Sequence, residues 1–162
     1  MKRLLAVLVL CGLLAVALPV AGFKGIELEG LQQKAEQGDA EAQAQLGVLY
    51  STGIQTPKNL EEAVKWYRKS ADQGHSLGQY NLAFMYIRGE GVKEDLARGR
   101  ELLQLAADQG FDKAKFDLGY MVLQGLGGEQ DQDLGIKMIR EAAYAGNRDA
   151  RDYLQEMGVP LE

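Results

Sequence analysis

The chain has 162 residues, 46% of them hydrophobic and 25% charged, which is ordinary globular composition and excludes a disordered or fibrous protein. A single cysteine excludes a disulfide scaffold and a thiolate-ligated zinc site. A formal net charge of −5 speaks against a phosphate-tracking surface, so nucleic acid is not an expected partner.

The first element is an address. Lys2 and Arg3 precede an apolar run from Leu4 to Leu18, followed by Pro19, Val20, Ala21 and Gly22. A basic start, a short apolar stretch and small residues make a secretory signal peptide over residues 1–22. The run falls short of the roughly 20 residues of a membrane span, so no membrane insertion is expected after cleavage. Val20 and Gly22 suit the −3 and −1 positions, with Phe23 as the mature start; Ala15 and Ala17 are a second option. Cys11 lies inside the apolar stretch behind Leu10 rather than after a small residue, so it reads as part of the leader and not as a lipid-modified site. The mature chain is acidic, exported and cysteine-free, and the leader looks bacterial. The expected location is the periplasm.

From there a period of 36 organises everything. Gly38, Gly74, Gly110 and Gly146 keep that step, as do Leu46, Leu82, Leu118 and Leu154 and the alanines 35, 71, 107 and 143. Gly53, Gly89 and Gly125 follow it, and so do Asn59, Asp95 and Asp131. Each unit opens with a helical stripe: Ala42, Leu46, Leu49 and Tyr50, then Gly78, Leu82, Met85 and Tyr86, then Ala114, Leu118, Met121 and Val122. A second stripe follows: Ala63, Trp66, Tyr67 and Ser70, then Gly99, Leu102, Leu103 and Ala106, then Gly135, Met138, Ile139 and Ala142. Asn59, Asp95 and Asp131 stand where a side-chain oxygen caps each second helix. Gly74, Gly110 and Gly146 stand where a left-handed C-cap ends it. Helices this short are marginal alone, so stacking must supply the stability. The fold class is all-α: stacked helix-turn-helix repeats at about 39–74, 75–110 and 111–146, with half-repeats at 24–38 and 147–162. In the trailing half, Ala150, Leu154 and Met157 face inward, and Asp149, Asp152 and Glu156 give a solvated cap.

These residues resemble the Sel-one-like repeats, a branch of the tetratricopeptide-like solenoids. The pattern stands as Leu82-Ala83-x-x-Tyr86-x-x-Gly89-x-Gly91-Val92-x-x-Asp95, closing with Ala106-Ala107-x-x-Gly110. The first copy has Leu46-Gly47-x-x-Tyr50-x-x-Gly53 and Ala63-x-x-Trp66-Tyr67-x-x-Ser70-Ala71-x-x-Gly74. The third departs at Val122, where Tyr is usual, and carries an extra Gly128. The resemblance implies a right-handed α-solenoid and says little about chemistry.

Chemistry-bearing constellations are sparse. His75, the only histidine, has no second histidine and no mature cysteine to share a metal, and reads as a surface loop residue. Among the mature serines 51, 70 and 76, none sits in a nucleophile elbow. Gly125-Leu126-Gly127-Gly128 aligns with Gly89-Glu90-Gly91 and reads as an inter-helix turn, not a phosphate loop. Glu129, Asp131 and Asp133 lack the oxygen ladder of a calcium loop. No catalytic residue, cofactor or metal is expected.

One feature exceeds the repeat. Two before, two after and five after each column leucine lie Ala44, Val48 and Ser51, then Tyr80, Phe84 and Ile87, then Phe116, Tyr120 and Leu123. In the last unit Asp152 and Glu156 take the first two places. The middle first helices are thus apolar on both sides. In the resembled solenoids the first helices line the concave surface, which implies an aromatic-floored groove with Arg88 and Gln124 at its edge. Tyr80 and Phe116 stand where the family often has an aromatic, so packing between repeats competes with exposure for that pair; Phe84 and Tyr120 are expected to be exposed. The expectation is a non-enzymatic module that binds a protein or peptide partner through Phe84, Tyr120, Ile87, Leu123, Arg88, Tyr80 and Phe116. The resemblance implies two alternatives. Some small exported members look like immunity proteins against a secreted toxic effector, such as a phospholipase of a type VI secretion system. Cysteine-rich relatives are linked to β-lactam hydrolysis, but they carry a disulfide per repeat and this mature chain carries none.

Overall fold

A computed structural model describes residues 28–161. The signal peptide expected over residues 1–22 lies outside the described residues. Helix α1 covers 28–36, and seven more follow: α2 (Ala40–Thr52), α3 (Leu60–Asp72), α4 (Ser76–Arg88), α5 (Leu96–Asp108), α6 (Asp112–Gln124), α7 (Gln132–Tyr144) and α8 (Arg148–Glu156). No strand occurs among the described residues, and none of their helices is long and apolar enough to cross a membrane. The array is an α-solenoid in which each helix packs on its neighbours in sequence.

The caps follow the columns read in the sequence. Asn59, Asp95 and Asp131 each accept the backbone N–H three residues on, at 2.9–3.0 Å, and so start α3, α5 and α7. Gly74, Gly110 and Gly146 take left-handed φ values of 80°, 82° and 101° and end them. First helices are less regular. Asp39 and Asn147 cap α2 and α8 with side-chain oxygens, but His75 and Phe111 hold the same place before α4 and α6 and make no cap bond. The Phe111 ring lies 4.9 Å from that of Tyr80 instead.

Column leucines Leu46, Leu82, Leu118 and Leu154 are buried, together with Leu103 and Ile139 of the second helices. Small residues admit the close approach of the two helices within a unit. A Cβ on Gly47 would stand 2.5 Å from the Tyr67 ring, and one on Gly119 2.9 Å from Ile139. Successive units are keyed by their loops. Gly127, at φ +69°, lies so close to the first turn of α5 that a Cβ there would come within 2.5 Å of the Leu96 carbonyl carbon and 2.9 Å of the Ala97 nitrogen. Gly91 approaches Leu60 and Glu61 of α3 in the same way. Side-chain amides add a repeated link: exposed Gln73 donates to buried Gln43 and exposed Gln109 to buried Gln79, each at 2.7 Å.

Candidate functional site: the face of the first helices

Successive first helices meet side chain to side chain. Tyr80 of α4 donates its hydroxyl to Asp117 Oδ2 of α6 at 3.0 Å. Phe116 and Tyr120 of α6 meet Tyr153 of α8 with ring centroids 6.1 and 5.7 Å apart, both edge to face. These contacts set α4, α6 and α8 along one surface of the array, with α2 packed on α4, and this is the surface that the resemblance makes the inner one. Tyr80–Asp117 and Phe116–Tyr153 share one register: the residue two before one column leucine meets the residue one before the next.

Four of the seven residues expected at the site are rings in two clusters, Tyr80 with Phe84 on α4 and Phe116 and Tyr120 with Tyr153 across α6 and α8, and the Tyr80–Asp117 hydrogen bond links the two into one strip. Tyr80 lies 5.0 Å from Phe84, ring to ring, and the Arg88 guanidinium stands over the Phe84 ring at 5.2 Å. Tyr120 is 40% exposed, the most open ring of this strip, whereas Phe84, expected to be exposed as well, is half-buried against Tyr80, and Phe116 is half-buried too. For Tyr80 and Phe116 the packing alternative prevails: both bridge repeats, and both are half-buried. Arg88 is exposed at the edge.

Leu123 and Ile87 do not belong to the groove, which corrects the sequence expectation. Leu123 is only 5% exposed and backs onto α7, where a Cβ on Gly135 would stand 2.7 Å from its own Cβ. Ile87 turns the same way, its Cγ1 2.5 Å from where Gly99 of α5 would carry a Cβ. Ser51 obeys the rule in the first unit, with its hydroxyl 3.0 Å from that of Tyr67 on α3. The reason is angular. A residue five after the leucine sits about 140° round the helix, only about 40° from the residue one after it, which faces the second helix. The bulk of Ile87 and Leu123 is matched by glycine across the interface.

Two participants went unread in the sequence, Asp117 and Tyr153. Both fall in the column one before the leucine, with Gln45 and Asn81 as the other members. Asp117 is half-buried. Its carboxyl is pushed up first by burial, which the hydrogen bond from Tyr80 opposes; Asp149 raises it further, and Lys113 and Arg88 lower it. Burial and the neighbouring Asp117 charge raise the Tyr80 hydroxyl above the tyrosine range, so it stays a donor at any physiological pH. No group of three or more metal-ligating side chains occurs among the described residues. The arrangement is a partly open surface of rings and charges.

A family model described as Sel1 repeat matches residues 40–75, 76–111 and 112–147. The chain belongs to the Sel1 repeat family. Among solved structures it is similar to a Sel1 repeat protein from Oxalobacter formigenes, at 33% identity and a TM-score of 0.72, over 80% of this chain and 98% of that one. It is also similar to a protective antigen of uropathogenic Escherichia coli with an SLR fold, at 33% identity and a TM-score of 0.74, over 80% of this chain and 28% of the other. Cysteine-rich protein B of Helicobacter pylori shares the fold, with a TM-score of 0.62 at 20% identity. The secretory immunoglobulin A-binding protein EsiB of E. coli O6:H1 is 45% identical over 71 residues, which are 43% of this chain and 14% of that protein. The chain thus spans a small part of the curated relatives it matches.

Proposed function

We propose that the protein is a non-enzymatic interaction module, exported to the periplasm, that binds a protein partner through the inner face of its first helices. Phe84 and Tyr120 make the contact surface, Arg88 adds a polar edge, and Tyr80 and Phe116 hold the strip in place from beneath. The observation that carries this is the aromatic strip itself, left open at Tyr120 although the surrounding helices are otherwise closely packed. Rings that lose little conformational freedom on contact are effective anchors. Sel1 repeat proteins generally serve as protein-interaction modules, and a relative named for binding an immunoglobulin supports a protein ligand.

The test is partner capture from a periplasmic extract by wild type and by a Phe84→Ala/Tyr120→Ala variant. Loss of capture by a variant with wild-type helicity is expected. Undiminished capture by that variant rejects the groove.

A further inference from the structure

The groove is chemically uneven along its length, and the unevenness points to the chemistry of its occupant. At the α2 end the floor is Ala44 and Val48, without a ring. Toward α8 the rings converge: Phe116 and Tyr120 both meet Tyr153. The same end carries most of the charge. Tyr153 shares one face of α8 with Asp149, Asp152 and Glu156, at the i, i+3, i+4 and i+7 spacing of a helix, and all three carboxylates are exposed. Because Tyr153 looks toward α6, that face looks toward α6 as well. The fields agree with this placement, since Asp149 acts on both Asp117 and Tyr80.

The cations that act on Asp117 are Arg88 and Lys113. On α8 itself Arg148 stands one turn before Asp152 without an ion pair among the described residues, and Arg151 gives its Nε to the Ala143 carbonyl. Arg88 is already seated over Phe84. The inner faces of Tyr120 and Tyr153 are therefore bordered by carboxylates that no ion pair satisfies among the described residues. An aromatic face attracts a cation through its quadrupole, and adjacent carboxylates add to that attraction. An acidic segment brought here would meet repulsion from Asp117, Asp149, Asp152 and Glu156 together.

We propose that the α6–α8 end of the groove takes a basic segment of the partner protein, with a lysine or arginine side chain laid against Tyr120 and Tyr153 and its charge directed to Asp152 and Glu156. This rests on the groove reading above and specifies its ligand.

The experiment is affinity selection from a random 12-residue peptide display library on the purified protein, counter-screened on Tyr120→Ala. Peptides that lose binding on Tyr120→Ala are expected to be enriched in lysine and arginine. The best of them, synthesised and labelled, is expected to bind about tenfold more weakly to an Asp152→Asn/Glu156→Gln variant, and to weaken as salt rises. These two positions are exposed and lie beyond the first turn of α8, so the variant should keep the wild-type melting temperature. Tyr120→Lys, which retains an aliphatic stem, serves as the second groove variant and should repel the same peptide. Tyr120-dependent peptides that are neutral or acidic, or that ignore the charge variant, overturn the basic-segment proposal and leave the groove standing. A selection that yields no Tyr120-dependent peptide overturns the groove reading and this proposal with it.

Discussion

Replacing Gly127 with alanine tests how the units are keyed together, and Gly110 provides the internal control. Both glycines are left-handed, at φ +69° and +82°. An alanine at either site pays about 1–2 kcal/mol for that conformation. About 0.4–1 kcal/mol of this is recovered through the stiffer unfolded chain. At Gly110 the added methyl meets nothing within 4 Å, so the account ends there, near 1 kcal/mol. At Gly127 the methyl would fall 2.5 Å from the Leu96 carbonyl carbon and 2.9 Å from the Ala97 nitrogen. These are backbone atoms in the first turn of α5, with no side-chain rotation to relieve them. Overpacking of this kind adds about 1–3 kcal/mol. Gly127→Ala should therefore cost about 2–4 kcal/mol in all, against about 1 for Gly110→Ala. For an array of this size that is a drop in melting temperature of roughly 5–15 °C against roughly 2–4 °C, read by circular dichroism. Gly91→Ala should behave like Gly127→Ala, because Leu60 and Glu61 approach it in the same manner. Equal shifts for Gly110→Ala and Gly127→Ala would refute the loop-on-helix keying.

Three further outcomes follow from individual contacts. Leu123→Ala should lower stability by about 2–5 kcal/mol in urea titrations while Tyr120→Ala costs much less, because the first is buried against α7 and the second is 40% exposed. His75→Asp should raise stability by about 0.5–1 kcal/mol in the same assay, since that place before α4 lacks the side-chain cap that Asp39 gives α2. The Asp117 carboxyl is raised in the folded state, so its contribution to stability is fully present below the unfolded carboxylate range and is lost as pH rises through the folded value. Asp117→Asn keeps an acceptor for Tyr80 and removes that loss, so its stability relative to wild type should improve from pH 4 to pH 7. Asp117→Ala should be the least stable of the three at pH 7, because the Tyr80 hydroxyl then loses its partner.

The fold was legible because its signals are one-dimensional. A step of 36 recurs in columns whose chemistry is local: a cap oxygen at Asn59, Asp95 and Asp131, and a left-handed turn at Gly74, Gly110 and Gly146. The groove was only half legible, since it depends on which side of a helix finds a partner. Positions two either side of the leucine hold the rings, of which Tyr120 is exposed and Tyr80, Phe84 and Phe116 are half-buried. The position five after it also looks apolar and remote on a helical wheel, yet it abuts the second helix. The glycines at 99 and 135, set against Ala63 in the first unit, carried that information in the sequence as a size match to Ile87 and Leu123. Tyr153 and Asp117 escaped notice because their role exists only across repeats. Each is unremarkable on its own helix and gains meaning from the Phe116 or Tyr80 that faces it from the unit before.

Site-specific photocross-linking gives the most direct test of the inner face as the binding surface. A photoreactive phenylalanine analogue placed at position 120 reports on the inner surface. One placed at Leu105, 47% exposed on the second helix α5, reports on a different face of the array. In living cells under ultraviolet light, position 120 should yield a discrete adduct with a single protein, and position 105 none. An adduct from position 105 with position 120 silent would place the partner on another face and contradict the account.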